Sequence, residues 1–386
     1  MINNKKILEL IKKKGLDKFQ DDILNELETA TSEIIKNKLK EYSNKNRIVK
    51  NDNKKISFPA KEILNEVEIK KLPKWVREDI DNAMIIGESK NVIQISNGKK
   101  YHLKNSLNDL SGGEWTFFLN SVTNTRYTTN GDDSFAHHIR KIHPSPKPPQ
   151  LMEEIIRFFT KENELVLDYF MGVGGTLLGA SLSNRKAIGI DLEKKYIEAY
   201  KEACKYLNLK EQTTINGDSI EILKNPILLK NEIGDNKFSL ILIDPPYGDM
   251  MARPKTGEAV KNGKDTSATP FTTLSNDLGN MSWDKFREIF KESIINSAKL
   301  LKNKGHIVVF IKDMQPKYNE LNLLHADLIR DLSSIENISY LGTKIWADQG
   351  VNLYPYGYPY AYVSNQIHQY ILIFKKVQTG LKIFGY

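Results

Sequence analysis

Leu165-Val166-Leu167-Asp168-Tyr169-Phe170-Met171-Gly172-Val173-Gly174-Gly175-Thr176 couples an apolar strand to a glycine turn. The strand ends in a carboxylate, and a helical pattern begins near Thr176. Glycine lets a backbone turn sharply and lets a ligand lie against it without a Cβ between them. In open α/β sheets ligands bind at such carboxyl ends of strands. Ile188-Gly189-Ile190-Asp191 repeats the strand-then-acid pattern, about 20 residues on, where a carboxylate is placed to accept from ribose hydroxyls. Thr213-Thr214-Ile215-Asn216-Gly217-Asp218 repeats it again, with Asp218 placed to accept from an adenine amino group. Each acid has a plainer alternative as a helix cap or turn aspartate. The turn contains no Gly-x-Gly-x-x-Gly, so a dinucleotide site is an open but less specific alternative.

Outward from this unit, apolar runs of strand length recur at Leu240 to Ile243, Ile307 to Ile311 and Tyr370 to Phe374, mostly separated by helical patterns. Buried strands alternating with helices imply an α/β domain with a mostly parallel sheet covered on both faces. The chain divides into three expected regions. Residues 1–55 are a basic region of two helices (within 3–42) and a polar linker, 56–140 a small α+β region, and 141–386 the catalytic domain. Within 56–140, Val92-Ile93-Gln94-Ile95 before Asn97-Gly98 predicts a hairpin. Residues 248–282 break the rhythm with a Gly-, Lys-, Thr- and Ser-rich loop insertion, and loops of that length are usually functional or disordered.

The 386 residues carry a net charge of +8, which suits a polyanionic partner, although few of the basic residues are arginine. A single cysteine, Cys204, excludes a disulfide framework and a cysteine-rich zinc site and fits a reducing cytoplasm. No apolar stretch is long enough to cross a membrane, and the charged start of the chain is not a secretion signal. His137, His138 and His143 cluster without nearby cysteines, so no metal is expected.

The second chemical centre is Asp244-Pro245-Pro246-Tyr247, at the end of the apolar strand Ser239 to Ile243. Two prolines cannot continue a sheet, so the chain leaves it stiffly. An exocyclic amino nitrogen on a base is a poor nucleophile because its lone pair is delocalised into the ring. A site that accepts both of its N–H bonds draws it towards tetrahedral geometry, with the lone pair aimed at a methyl donor. The Asp244 carboxylate and the Pro245 carbonyl are candidates for those acceptors. Tyr247 is then expected against the face of the base, a stacking contact worth about 1–3 kcal/mol.

These motifs together resemble the prokaryotic amino-methyltransferase family of DNA, which acts on adenine N6 or cytosine N4. The preceding His143-Pro144-Ser145-Pro146-Lys147-Pro148 is similar to that family's His-Pro-x-x-Lys-Pro segment, and Tyr354 to Lys375 to the ending of a subset of its members. The likeness runs over roughly 107–376 in family motif order; Tyr169 stands where the family commonly has proline. The resemblance implies a Rossmann-like seven-stranded methyltransferase sheet, here preceded by the mostly helical N-terminal extension. It also implies S-adenosyl-L-methionine as cofactor, held by Lys147, Asp168, Phe170, Gly172, Gly174, Asp191 and Asp218, and a target base held by Asp244, Pro245, Pro246 and Tyr247. Double-stranded DNA would be the substrate, with the base flipped into the pocket, and a separately encoded restriction endonuclease a candidate partner.

Asp-Pro-Pro-Tyr-Gly also occurs in tRNA guanine-N2 methyltransferases, so that activity stays open beside cytosine N4 methylation and a DNA-binding module without catalysis. C5-cytosine chemistry is excluded, because Cys204 is not placed as a nucleophile. Trp115, Phe117 and Phe118 are expected in the core, whereas Tyr354 to Tyr362 suit base stacking and sheet packing equally. Target reading falls to the 248–282 loop, with Arg253, Lys255, Lys261 and Lys264, or to the basic N-terminal region.

Overall fold

The computed structural model describes residues 57–87, 89–249, 270–314 and 323–378. The expected N-terminal helices and linker, and Arg253, Lys255, Lys261 and Lys264, lie outside the described residues. Twelve strands are described. In chain order β1 to β4 are Ser57–Pro59, Met84–Ile86, Val92–Gln94 and Lys100–His102, and β5 to β8 are Val122–Thr125, Leu165–Asp168, Lys186–Asp191 and Thr213–Asn216. β9 to β12 are Phe238–Ile243, Leu301–Ile311, Ile338–Asp348 and His368–Lys376.

The main sheet has the order β5-β11-β12-β10-β9-β6-β7-β8. The pairs from β10 through β9, β6 and β7 to β8 are parallel, while β12 runs antiparallel between β10 and β11. Strand β9 shows why its run from Leu240 to Ile243 is apolar throughout. Leu240 and Leu242 join one core with Leu151, Ile155 and Phe159 of the helix Pro149–Phe159. Ile241 and Ile243 join the opposite core with Phe286, Phe290 and Ile294 of the helix Trp283–Leu300. Side chains alternate between faces, and both faces are covered, so no position on the strand meets water.

The structure extends the expected seven strands to eight. β5 adds in parallel to β11, with Val122 opposite Ile345 and Thr125 opposite Asp348. Residues 122–125 thus pair in the main sheet although they precede the expected boundary at 140. Strand β11 had no clean sequence signal: its run ISYLGTKIWAD is interrupted by Gly342, Thr343 and Lys344. Lys344 is tolerated there because its ammonium donates to the carbonyls of Phe118 and Asn120.

β1 to β4 form a separate antiparallel sheet with its own core of Val76, Ile85, Ile93 and Tyr101. The predicted hairpin is present as β3 and β4, closed by Gly98 N–H donating to the Ile95 carbonyl. Phe118 stacks on Phe158 at 3.9 Å and Trp115 lies against the same ring. Phe117 is the exception to the core expectation, being 69% exposed. The tyrosines from Tyr354 to Tyr362 do not pack on the sheet: exposure rises from 38% at Tyr354 to above 90% at Tyr360 and Tyr362. Among the described residues no helix is long and apolar enough to cross a membrane.

Candidate active site

The chain runs from β6 outward through β7 to β8, then returns to the other side of β6 to form β9. This reversal splays the connections after β6 and β9 apart and opens a crevice at their carboxyl ends. A cavity of about 480 Å³ lies there, within the roughly 300–1,000 Å³ usual for ligand sites. Its walls include Lys147, Asp168, Phe170, Gly172, Asp191 and Asp218, together with the whole of Asp244 to Tyr247.

At the β6–β7 end the acids hold backbone. Asp168 Oδ1 accepts the Phe170 amide at 3.0 Å, which closes the turn after the strand. Asp191 accepts the Gly172 amide at 2.8 Å through Oδ2 and the Glu193 amide at 2.8 Å through Oδ1. Asp218 is the N-cap of the helix Ser219–Lys224, taking the Ile220 amide, while its other oxygen accepts from Asn276 at 2.7 Å. Burial raises the Asp168 carboxyl to about 7 and the Asp191 carboxyl to about 6. Each carboxylate oxygen offers two lone pairs, so the backbone contacts leave acceptor capacity on these acids.

Gly174 is absent from the cavity wall. It has φ +74°, and a Cβ there would come within 2.1 Å of the Tyr200 ring. Its glycine is required by packing beneath the turn, against Tyr200. His143 covers Gly172 and stacks on Phe271 at 5.0 Å. Burial lowers the His143 imidazole to about 4, so the ring is neutral at pH 7. Phe271 and Asn276 come from the far end of the 248–282 stretch, so its described portion forms part of the wall.

At the β9 end side chains hold the acid. Lys147 pairs with Asp244 through Oδ2, and the Tyr247 hydroxyl donates to Oδ1 at 2.6 Å. Tyr247 is buried and its phenol is pushed well above the ordinary value, chiefly by burial and then by the Asp244 charge, so it stays a donor. Its hydroxyl is thus committed to Asp244, a role the stacking expectation did not include. Tyr169, at the family's proline position, is buried with its hydroxyl 3.1 Å from Ser293 Oγ.

The sequence reading missed Lys312, Asp313, Gln366 and Gln369, which complete the wall beside Asp244. Lys312 and Asp313 come just past the apolar strand β10, much as Asp168 closes β6, so a similar strand-then-acid signal was present. The glutamines had none, because they enter from the start of the antiparallel strand β12 and the loop before it.

The family model described as DNA methylase (N6_N4_Mtase) matches residues 4–202, just over half of the chain. The tRNA (guanine(10)-N2)-dimethyltransferase of Pyrococcus abyssi is 31% identical over 111 residues, 29% of this chain and 31% of its own length. The Type II methyltransferase M1.MboII of Moraxella bovis is 35% identical over 103 residues, 27% of this chain and 36% of its own. M2.LlaDCHI of Lactococcus lactis subsp. cremoris, another Type II methyltransferase, is 47% identical over 60 residues, 16% of this chain and 22% of its own. The chain therefore spans about a fifth to about a third of the length of these relatives. Among solved structures, TrmN from Thermus thermophilus aligns at TM-score 0.40 and 15% identity, covering 64% of this chain and 53% of that one. The match to the family model, carried by more than half of the residues, makes this chain a member of the DNA methylase family.

Proposed function

We propose that the protein transfers a methyl group from S-adenosyl-L-methionine to the exocyclic amino nitrogen of a base flipped out of double-stranded DNA, with adenine N6 as the target. The observation that carries this reading is that one cavity is lined both by Asp168, Gly172, Asp191 and Asp218 and by Asp244 to Tyr247. Separated sites would forbid direct transfer.

The residues present fit the cofactor. Asp191 retains acceptor capacity beside the Gly172 amide, which suits a ribose diol, and Asp218 suits an amino group on the adenine edge. Phe170 gives an apolar wall at the same end. When bound, the cofactor supplies an electrophilic methyl on a sulfonium. The Asp244 carboxylate accepts one N–H of the target amine and the Pro245 carbonyl the other. Pro246 keeps the corner rigid, so the acceptors are positioned before the amine arrives. Asp244 then takes the proton that the methylated nitrogen sheds. Aspartate at the head of the tetrapeptide, where N4-cytosine enzymes favour serine, supports adenine over cytosine. The Type II names of two relatives support a restriction-modification setting with a separately encoded endonuclease.

A second reading, guanine-N2 methylation of tRNA, is favoured by the P. abyssi relative and by Gly248 after the tetrapeptide. Labelled cofactor offered with unmethylated genomic DNA and with bulk tRNA, followed by nucleoside mass spectrometry, separates the two. Label in N6-methyladenine is the expected result. Label in N4-methylcytosine moves the target, and label in N2-methylguanine from tRNA replaces the substrate.

A further inference from the structure

Lys147 carries one reading from the resemblance and another from the geometry. The family segment implies that Lys147 holds the cofactor. In the structure the ammonium sits on Asp244, with the lysine side chain 6% and the aspartate 17% exposed. The two lie 97 positions apart in the chain. The lysine backbone is held as firmly as its ammonium. Arg140, itself 1% exposed, donates to the Lys147 carbonyl and to the Val173 carbonyl at 3.2 Å. A Cβ on Gly175 would come within 2.8 Å of the Lys147 carbonyl oxygen, so this segment packs directly against the glycine turn. The Lys147 ammonium also lies 5.4 Å from the centre of the buried Phe310 ring. One short segment thus joins the glycine turn at one end of the cavity to the catalytic carboxylate at the other.

We infer that Lys147 is a positioning residue for Asp244, acting on the target amine through that carboxylate rather than on the methyl donor. The inference rests on the proposed amino-methyltransferase reading. Lys147 takes one lone pair of Oδ2 and Tyr247 one lone pair of Oδ1. A carboxylate has about four such sites, so the clamp fixes its plane and leaves a lone pair for the incoming N–H. Pairing also offsets the cost of keeping charged groups in a largely buried wall.

The test measures kcat at saturating cofactor and cofactor Kd by calorimetry for wild type, Lys147→Met, Lys147→Gln and Lys147→Arg, each checked for folding by its thermal transition. Lys147→Met is expected to lower kcat by about 10²-fold, the cost of a misplaced reacting group, and to change cofactor Kd by less than about threefold. Lys147→Arg should recover part of the lost kcat, since it restores a cation opposite Oδ2. Lys147→Gln keeps a hydrogen-bond donor without the charge and serves as the folded variant if methionine is not tolerated; it should show the same kcat-dominated loss. A Kd raised more than about tenfold with kcat retained overturns the inference and makes Lys147 a cofactor ligand. Unchanged kcat and Kd overturn it as well. A wild type that methylates neither DNA nor tRNA removes the underlying reading, and the inference falls with it.

Discussion

The two ends of the cavity use carboxylates in opposite ways. Around β6 and β7, Asp168 and Asp191 accept amides from Phe170, Gly172 and Glu193. Asp168 and Phe170 are two residues apart, as are Asp191 and Glu193, and Asp191 reaches Gly172 across neighbouring strands. At the end of β9, Asp244 is held by side chains, one of them from Lys147 in the segment ahead of β6. The first end is a scaffold whose acids shape backbone and keep spare acceptor capacity. The second is a charged cluster whose order depends on partners brought together by folding. Damage at the first should therefore appear in stability and cofactor affinity, and damage at the second in turnover.

The largest expected effect is at Asp244. Asp244→Ala should reduce kcat by more than about 10²-fold, because an acceptor is lost at the reacting nitrogen. Cofactor Kd should stay within about tenfold in the same variant. Loss of cofactor binding without loss of kcat would erase the distinction between the ends.

Gly174→Ala comes next and should act on stability. The new methyl meets Tyr200 at 2.1 Å in a left-handed backbone, and overpacking of this kind costs about 1–3 kcal/mol. A lower thermal midpoint is expected, with partial recovery in the Gly174→Ala/Tyr200→Leu double variant. A midpoint equal to wild type would show that the turn yields more easily than its packing implies.

Protonation gives a graded effect at the first end. Burial raises Asp168 to about 7 and Asp191 to about 6 from the ordinary carboxyl value of 3.8. The folded protein keeps these protons to higher pH than the unfolded chain does, so their linkage lowers stability as pH rises from about 4 to about 7 and levels off above that. A cofactor that donates hydrogen bonds and carries positive charge selects the ionised acids. Its affinity should rise over the same upper part of the range, from about pH 5.5 to about pH 7.5. Calorimetric titration of wild type and Asp191→Asn checks this, with the variant expected to lose the lower part of the rise. A flat wild-type profile would mean that these acids do not meet the cofactor.

The smallest effect is at Asp218. Its carboxylate caps the helix Ser219–Lys224, and Asp218→Ala should cost about 1 kcal/mol, as loss of an N-cap does. A larger loss of cofactor affinity than of stability would give Asp218 a second role at the adenine edge.

The amino-acid sequence by itself determined the alternation of buried strands and helices, the glycine turn, the acids at the strand ends and the stiff Asp-Pro-Pro-Tyr corner. These are short-range properties: periodicity, backbone conformation and the missing N–H of proline act within a few residues. Tertiary structure alone decided that β5 extends the main sheet, since a four-residue strand carries too little pattern to name its partner. It also decided that Gly174 answers to Tyr200, that Tyr247 gives its hydroxyl to Asp244, and that Lys147 reaches the same carboxylate. An ion pair between residues so distant in the chain leaves no trace in local composition. It comes into being when the sheet reverses direction after β8 and brings the segment ahead of β6 beside the end of β9.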